Sequence, residues 1–386
     1  MRIAHYKGTL RLEDGGDVRA VLDLCAQLAV RGHDVPLLSF DPFDVPSEWC
    51  DGQQGTPRVI ALDRMGGRLP RLGREGLDLA RQWISDADVV HLHVPWDPVC
   101  MQLGRLALHS GVPYVVSLHG MLDDWCMLQK RLKKRAYLAM GGRRFLSRAR
   151  TVVCTADAER DQSSKWYPKG RSAIVPYIID TTPFLDLPGP ATARESFTEL
   201  FAEADRPVVL FLSRLHEKKG LEKLIEAAAI LRDRGIDVNV AIAGTGKPGY
   251  VQGLEQLGRR LGVDDRLFFL GFVGGATKLS LYQAADVFVL PTSQENWGLV
   301  LTESLGCGTP VITTKGTDIW RELEASGGAV IVDATAQATA AAVAELLRDP
   351  QRLNTMRNKG RAWVLENLTA DRVIDKYEQL YRQVSA

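Results

Sequence analysis

The chain has 386 residues, 45% of them hydrophobic and 25% charged, with a formal net charge of +1. That length exceeds one typical core and favours two or three domains of a soluble globular enzyme, while so small a net charge argues neither for nor against nucleic acid. The six cysteines (Cys25, Cys50, Cys100, Cys126, Cys154, Cys307) form no CxxC pair and no Cys/His zinc spacing, so reduced thiols in a cytosolic protein are expected. The start Met1-Arg2-Ile3-Ala4-His5-Tyr6 lacks the apolar run of a signal peptide, and no stretch approaches the roughly 20 apolar residues of a spanning helix.

Apolar runs of strand length alternate with helix-period segments, the pattern of parallel strand–helix–strand units. In the first half the strands read Ile3–Tyr6, Asp34–Phe40, Val89–Val94, Tyr114–Leu118, Thr151–Thr155 and Ser172–Val175. After the first strand comes Asp14-Gly15-Gly16-Asp17, then a helix over Val18–Val30; the glycines let backbone approach a ligand, and the helix start adds N–H donors for an anion. His91-Leu92-His93 sets both rings on one face of a strand. With no third ligand apparent, that pair reads as lining for an acceptor pocket and not as a metal site. Asp86-Ala87-Asp88 imitates a metal-binding DxD but precedes its strand, so it reads as a turn. His119 follows Tyr114–Leu118 directly, at a strand's carboxyl end, as a general base, a sugar partner or a packed core residue. From Lys130 to Arg150 there are nine cations and no acid, interleaved with Leu132, Tyr137, Leu138, Phe145 and Leu146. Such a run is either a solvated face or a dock for an anionic leaflet or a pyrophosphate-linked acceptor.

Residues 181–206, rich in proline, read as a linker with a short helix around 193–202. The second half repeats the alternation with strands Val208–Leu212, Val238–Ala243, Leu267–Leu270, Val287–Leu290, Val311–Thr314 and Ala329–Val332. The expectation is α/β: two doubly wound domains, 1–180 and 207–366, facing a central cleft, with an amphipathic helix over 367–386 crossing back to the first. Arg214 and Lys219 follow the strand Val208–Leu212, where two cations at a strand end form a diphosphate clamp. Gly244-Thr245-Gly246-Lys247-Pro248-Gly249 fits GxGxxG, but Pro248 interrupts the early helix and no acid ends the next strand. It therefore reads as a neighbour of another nucleotide ligand and not as a dinucleotide fingerprint.

The most specific stretch is Glu295-Asn296-Trp297-Gly298-Leu299, continuing to Glu303. In an open α/β sheet ligands sit outside the carboxyl ends of strands, and Glu295 follows such an end. Glu303 would lie roughly 12 Å further if all eight steps were helical, about the span of a sugar-diphosphate-ribose. The helix's free N–H groups would face the phosphates.

Taken together, Gly15-Gly16 with Arg31-Gly32-His33-Asp34-Val35, Leu118-His119-Gly120, Ser213-Arg214-Leu215 with Lys218-Lys219-Gly220, and the E-x7-E pattern Glu295 to Glu303 resemble the retaining, nucleotide-sugar-dependent glycosyltransferases of the GT4 family. That resemblance implies a GT-B fold, two Rossmann-like domains, and no metal or other cofactor. It implies that His119 and Glu295 sit at the reacting sugar as the catalytic pair, and that Gly15, Gly16, Arg214, Lys219, Gly244, Trp297, Gly298, Leu299 and Glu303 bind the donor. Within that set Glu303 takes the ribose, and His93 lines the acceptor side. Where many members carry Asn-Gly-Val-Asp, this chain reads Tyr177-Ile178-Ile179-Asp180, and the aromatic of E-x-F-G is Trp297. The segment from Leu118 to Arg150 is similar to members that build bacterial surface polysaccharides.

The reading is a glycosyltransferase moving a sugar from a nucleotide-sugar donor to a glycan or lipid-linked acceptor hydroxyl with retention. A nucleotide-sugar epimerase and a non-catalytic nucleotide-sugar-binding protein stay as alternatives. Nucleic acid is not an expected partner. The expected location is the cytoplasm, with peripheral attachment to the inner face of a membrane through Lys130–Arg150.

Overall fold

The computed structural model describes residues 1–65 and 71–386. Two units of α/β structure account for them: Met1–Ile179 with Ala370–Ala386, and Asp180–Thr369.

The first unit carries β1 (Ile3–Tyr6), β2 (Pro36–Ser39), β3 (Arg58–Ala61), a small antiparallel pair β4 (Arg64–Met65) and β5 (Arg71–Leu72), then β6 (Val89–His93), β7 (Tyr114–Ser117), β8 (Thr151–Cys154) and β9 (Ser172–Ile174). All but the small pair form one parallel sheet in the order β3-β2-β1-β6-β7-β8-β9. Strands buried on both faces need apolar residues on both faces, and alternate residues of these strands go to two separate cores. Ala4, Tyr6, Val90, Leu92 and Val116 join one with the helix Pro98–His109. Ile3, Val89, Val115 and Val153 join the other with the helix Gly16–Val30 and the last helix, Ala370–Ser385. Arg31 holds that last helix through Asp371 (2.8 Å) and Asp375 (3.1 Å), and His33 Nε2 lies 3.1 Å from Glu378 Oε1. The Arg31-Gly32-His33 stretch thus serves to seat the C-terminal helix.

The second unit carries β10 (Val208–Leu212), β11 (Asn239–Ala243), β12 (Leu267–Gly271), β13 (Val287–Leu290), β14 (Val311–Thr314) and β15 (Ala329–Val332), all parallel, in the order β12-β11-β10-β13-β14-β15. Each sheet reverses its strand order once, between β1 and β6 and between β10 and β13. The carboxyl ends at such a reversal open the crevice where doubly wound folds take ligands.

Four details differ from the sequence expectations. The edge strand β3 was not expected; it is short and half exposed, its apolar run no longer than Val59-Ile60-Ala61. Residues 181–206 are no free linker: short helices there span Thr182–Leu185 and Ala191–Ser196, and Ser280 Oγ accepts from the Ala193 amide while Leu200 O accepts from Asn239 Nδ2. Pro248 does not interrupt its helix but opens it, at the first position of Pro248–Leu261, where a missing N–H costs nothing. The helix bearing Glu303 begins only at Leu299, so Glu303 stands one turn inside it and not two.

Candidate active site

In the second unit the loops leaving β10 and β13 are stitched together. Lys218 O accepts from the Ser293 amide (2.8 Å), Thr292 Oγ1 (2.9 Å) and Ser293 Oγ (3.0 Å). Gly220, at φ +76°, lets this happen: a Cβ there would fall 2.2 Å from Pro291 O. The close approach buries Lys219 to 6% exposure and brings its ammonium onto the Glu295 carboxylate as an ion pair. Glu295 is held from its own backbone as well, its amide donating to Gly316 O and its carbonyl accepting from the Asp318 amide. Arg214 stands on the same β10 loop, exposed and without an ion pair among the described residues. Beside it, Gly244 at φ +134° would put a Cβ 1.9 Å from Ser213 O, so only glycine lets the β11 loop close on the Arg214 loop.

Gly298, at φ +70°, turns the chain from Glu295 into the helix Leu299–Gly306. Inside that helix Glu303 is gripped on both oxygens, by Lys278 Nζ (2.8 Å) and by the Tyr282 hydroxyl (3.2 Å). Lys278 and Tyr282 lie four apart on the helix Gly275–Ala284 and so share one face. That spacing was the signal for them, and sequence reasoning passed over it. Trp297, of the expected donor-binding set, is 3% exposed, with its indole buried.

In the first unit His93 ends β6, His119 lies two residues past β7, and the two are in contact, His93 Nδ1 to His119 Nε2 at 3.0 Å. The chain runs on in both directions. His5 Nδ1 lies 3.1 Å from His93 Nε2, and His119 Nδ1 lies 2.7 Å from the Tyr177 hydroxyl. His91 makes a side branch, to Tyr381 OH at 2.8 Å and to Ser117 Oγ at 2.7 Å. The histidines continue the rows Ile3-His5 and Val89-His91-His93, on the face that the last helix covers. Burial holds them neutral: it pushes His5 down to about 3 and His119 to about 4, and it drives His91 and His93 well below the ordinary imidazole value.

His119 sits at φ +54°, a strained conformation for a residue with a Cβ, and such strain concentrates at functional sites. The next amide, Gly120 N, donates to Glu159 Oε1 (2.5 Å), a fully buried carboxylate that also takes the Thr155 amide and hydroxyl at 2.6 and 2.9 Å. Lys7, just past β1, pairs with Asp17 at 3.0 Å. Burial raises the Asp17 carboxyl, but Lys7 and His119 more than offset this, leaving it below its usual value. Asp17 follows Gly15 and Gly16 at the start of the helix Gly16–Val30, with Gly15 at φ +151°. Lys7, Asp17, Tyr177 and Glu159 were not expected from the sequence, since their meeting depends on contacts across the sheet.

A metal was not expected because His91 and His93 had no third ligand. The structure supplies one in His5, paired with His91 in the β1–β6 register, and the ligand atoms of the three lie within 4.8 Å of one another. In this structure both ring nitrogens of His91 and of His93 are in hydrogen bonds. Asp88, of the DxD imitation, accepts from the Arg2 amide at 2.8 Å, as a turn residue would.

Residues 193–363 match the family described as "Glycosyl transferases group 1", and residues 15–177 the "Glycosyl transferase 4-like domain". The chain is 32% identical over 275 residues, 69% of each protein, to a GDP-mannose-dependent alpha-(1-6)-phosphatidylinositol monomannoside mannosyltransferase of Mycolicibacterium smegmatis. It is 28% identical to a D-inositol 3-phosphate glycosyltransferase of Kineococcus radiotolerans, over 96% of this chain and 92% of that protein. In fold it resembles the Anabaena HepE protein crystallised with UDP (TM-score 0.79, 19% identity, 99% of this chain and 100% of that one). It also resembles the sucrose-phosphate synthase of Thermosynechococcus elongatus (TM-score 0.75, 22% identity, 99% and 98%). These relatives do not favour the epimerase or the non-catalytic alternative. The chain belongs to the GT4 family of glycosyltransferases, with the α/β GT-B fold.

Proposed function

We propose that this glycosyltransferase takes its sugar from a nucleoside-diphosphate sugar and transfers it to an acceptor hydroxyl with retention of anomeric configuration, in glycan or polysaccharide biosynthesis. The observation that carries the reading is the Lys219–Glu295 ion pair beside exposed Arg214, at the strand reversal of the second unit. A donor diphosphate draws Lys219 and Arg214, and the charge they neutralise is the charge that develops on the departing nucleotide. Glu295, released from Lys219, is then free to accept from sugar hydroxyls, while the Glu303–Lys278–Tyr282 group takes the ribose. Two cations at the diphosphate leave no need for a metal. The named dependence of the mycobacterial relative on GDP-mannose and the UDP in the Anabaena crystal support a nucleoside-diphosphate donor without choosing the base.

His119 belongs at the reacting sugar in this reading, and His93 beside it toward the acceptor. No helix among the described residues is long and apolar enough to cross a membrane. Peripheral attachment is supported by the helix Arg131–Tyr137 and its surroundings: Lys130, Arg131, Lys133 and Arg135 are exposed together with Leu128 (66%), Leu132 (83%) and Met140 (74%). Leu138, Phe145 and Leu146, by contrast, are core residues and not part of that face.

The test is a transfer assay with UDP-, GDP- and ADP-sugars and a membrane-extracted acceptor, with and without EDTA, the product read by the anomeric coupling in NMR. Retention and indifference to EDTA are expected. An inverted product, an EDTA-sensitive rate, or a donor epimerised with no glycoside formed would refute it.

A further inference from the structure

The buried histidine chain has a direction that one atom reveals. His5 Nε2 is fully buried and has no hydrogen-bond partner among the described residues. A buried orphan N–H is rarer and costlier than a buried orphan acceptor, so this nitrogen carries the bare lone pair and the His5 proton sits on Nδ1. The rest follows by exclusion, since each gap holds one proton. His5 Nδ1–H donates to His93 Nε2 across 3.1 Å, leaving the His93 proton on Nδ1. His93 Nδ1–H donates to His119 Nε2 across 3.0 Å, leaving the His119 proton on Nδ1. His119 Nδ1–H donates to the Tyr177 oxygen across 2.7 Å, and the tyrosine's own proton points away from the chain. The burial-depressed pKa values of all three rings agree with one proton on each. Stacked or tilted ring contacts at 5.3 to 5.6 Å hold the alignment from His5 to Tyr177.

We propose that His5, His93 and Tyr177 are positioning residues for the transfer reaction, holding His119 as the Nδ1–H tautomer through a one-way hydrogen-bond chain that ends at the Tyr177 hydroxyl. The inference rests on the placement of His119 at the reacting sugar. Both ring nitrogens of His119 are spoken for inside this unit, so its imidazole meets a ligand only through what the chain fixes. Those are the ring's orientation, its strained backbone at φ +54°, and the donor direction of Tyr177. Tyr177 also stands two residues before Ile179, where the chain leaves the first unit.

The experiment is long-range proton–nitrogen NMR on the full chain with labelled histidine, the seven signals assigned by single substitutions. The wild type is expected to show His119 and His93 protonated at Nδ1 and bare at Nε2, a readout that needs neither donor nor acceptor. In the transfer assay Tyr177→Phe removes the proton acceptor and is expected to lower kcat by about tenfold with little change in donor KM. His93→Leu is expected to turn the His119 signals into a tautomer mixture. An Nε2-protonated His119 in the wild type would overturn the proposal, and so would a Tyr177→Phe enzyme with wild-type kcat. Stoichiometric zinc in the purified protein, lost in His5→Phe, would overturn it too, because a metal would then fill the His5–His93 gap. If no nucleotide sugar supports transfer, the proposed function fails while the tautomer measurement still stands on its own.

Discussion

Lys219 and Glu295, 76 residues apart in sequence, form an ion pair at the carboxyl ends of the adjacent strands β10 and β13. Each was expected at the donor, Lys219 on the diphosphate and Glu295 on the sugar, but not in contact with the other. Each charge keeps its partner from an unpaired state in a mostly buried place, and under the proposed function a donor would exchange one pairing for another. A double-mutant cycle of Lys219→Met and Glu295→Gln is expected to show a coupling of about 1–3 kcal/mol in urea unfolding. Additive effects would mean that the two side chains do not interact in solution. In the transfer assay Glu295→Gln should act mainly on kcat.

The grip on Glu303 predicts a different failure. Lys278→Met and Tyr282→Phe each remove one hydrogen bond from the carboxylate that is proposed to receive the ribose. Both are expected to raise the donor Kd by about three- to tenfold in calorimetry with kcat nearly unchanged, and Glu303→Ala by more. A fall in kcat at unchanged Kd would move Glu303 from the nucleotide to the reacting end.

Much of this was legible in the sequence, and the limit has a physical cause. The strands whose Val, Ile and Leu are buried on both faces announced themselves, and Gly220, Gly244 and Gly298 stood out within their motifs, though not the close approaches at Gly220 and Gly244. The edge strand β3 did not, because its apolar run is only Val59-Ile60-Ala61 and Ile60 alone in the strand is buried. Glu295 and Lys219 were visible as single residues at strand ends, whereas their contact depends on two loops being stitched at Lys218 O. His5 was invisible as a partner of His93 because register, and not spacing, brings them together.

The four buried histidines make the fold sensitive to acid. Their folded-state pKa values lie below those of the unfolded chain, so between the ordinary value near 6.5 and the depressed ones the unfolded state binds more protons. Stability is therefore full above about pH 6.5 and falls as pH drops, by at most about 1.4 kcal/mol per pH unit for each ring. Tm measured from pH 7.5 to 5 is expected to fall steeply below pH 6.5, and His5→Phe, with one such group fewer, should flatten the slope. A Tm independent of pH over that range would contradict neutral burial of the cluster.

The exposed basic face around Leu132 predicts salt-sensitive membrane binding. Reversing the charge of Lys130, Arg131 and Lys133 is expected to weaken binding to vesicles containing anionic lipid by about a hundredfold or more. Lys134 is left out because its ammonium is tied to Cys126 and lies over Trp96. Equal sedimentation of wild type and variant, unaffected by salt, would remove the face from any role at a membrane.

In the proposed function the ends of β10 and β13 form a donor site for a nucleoside-diphosphate sugar. The most direct measurement is a thermal-shift panel of UDP-, GDP- and ADP-sugars against wild type and Arg214→Ala, since a ligand that binds only the folded state raises Tm. One nucleotide class is expected to stabilise the wild type and to lose its effect in Arg214→Ala, whose own Tm should match the wild type because Arg214 is exposed and unpaired among the described residues. No shift with any donor at millimolar concentration, or an equal shift in Arg214→Ala, would contradict it.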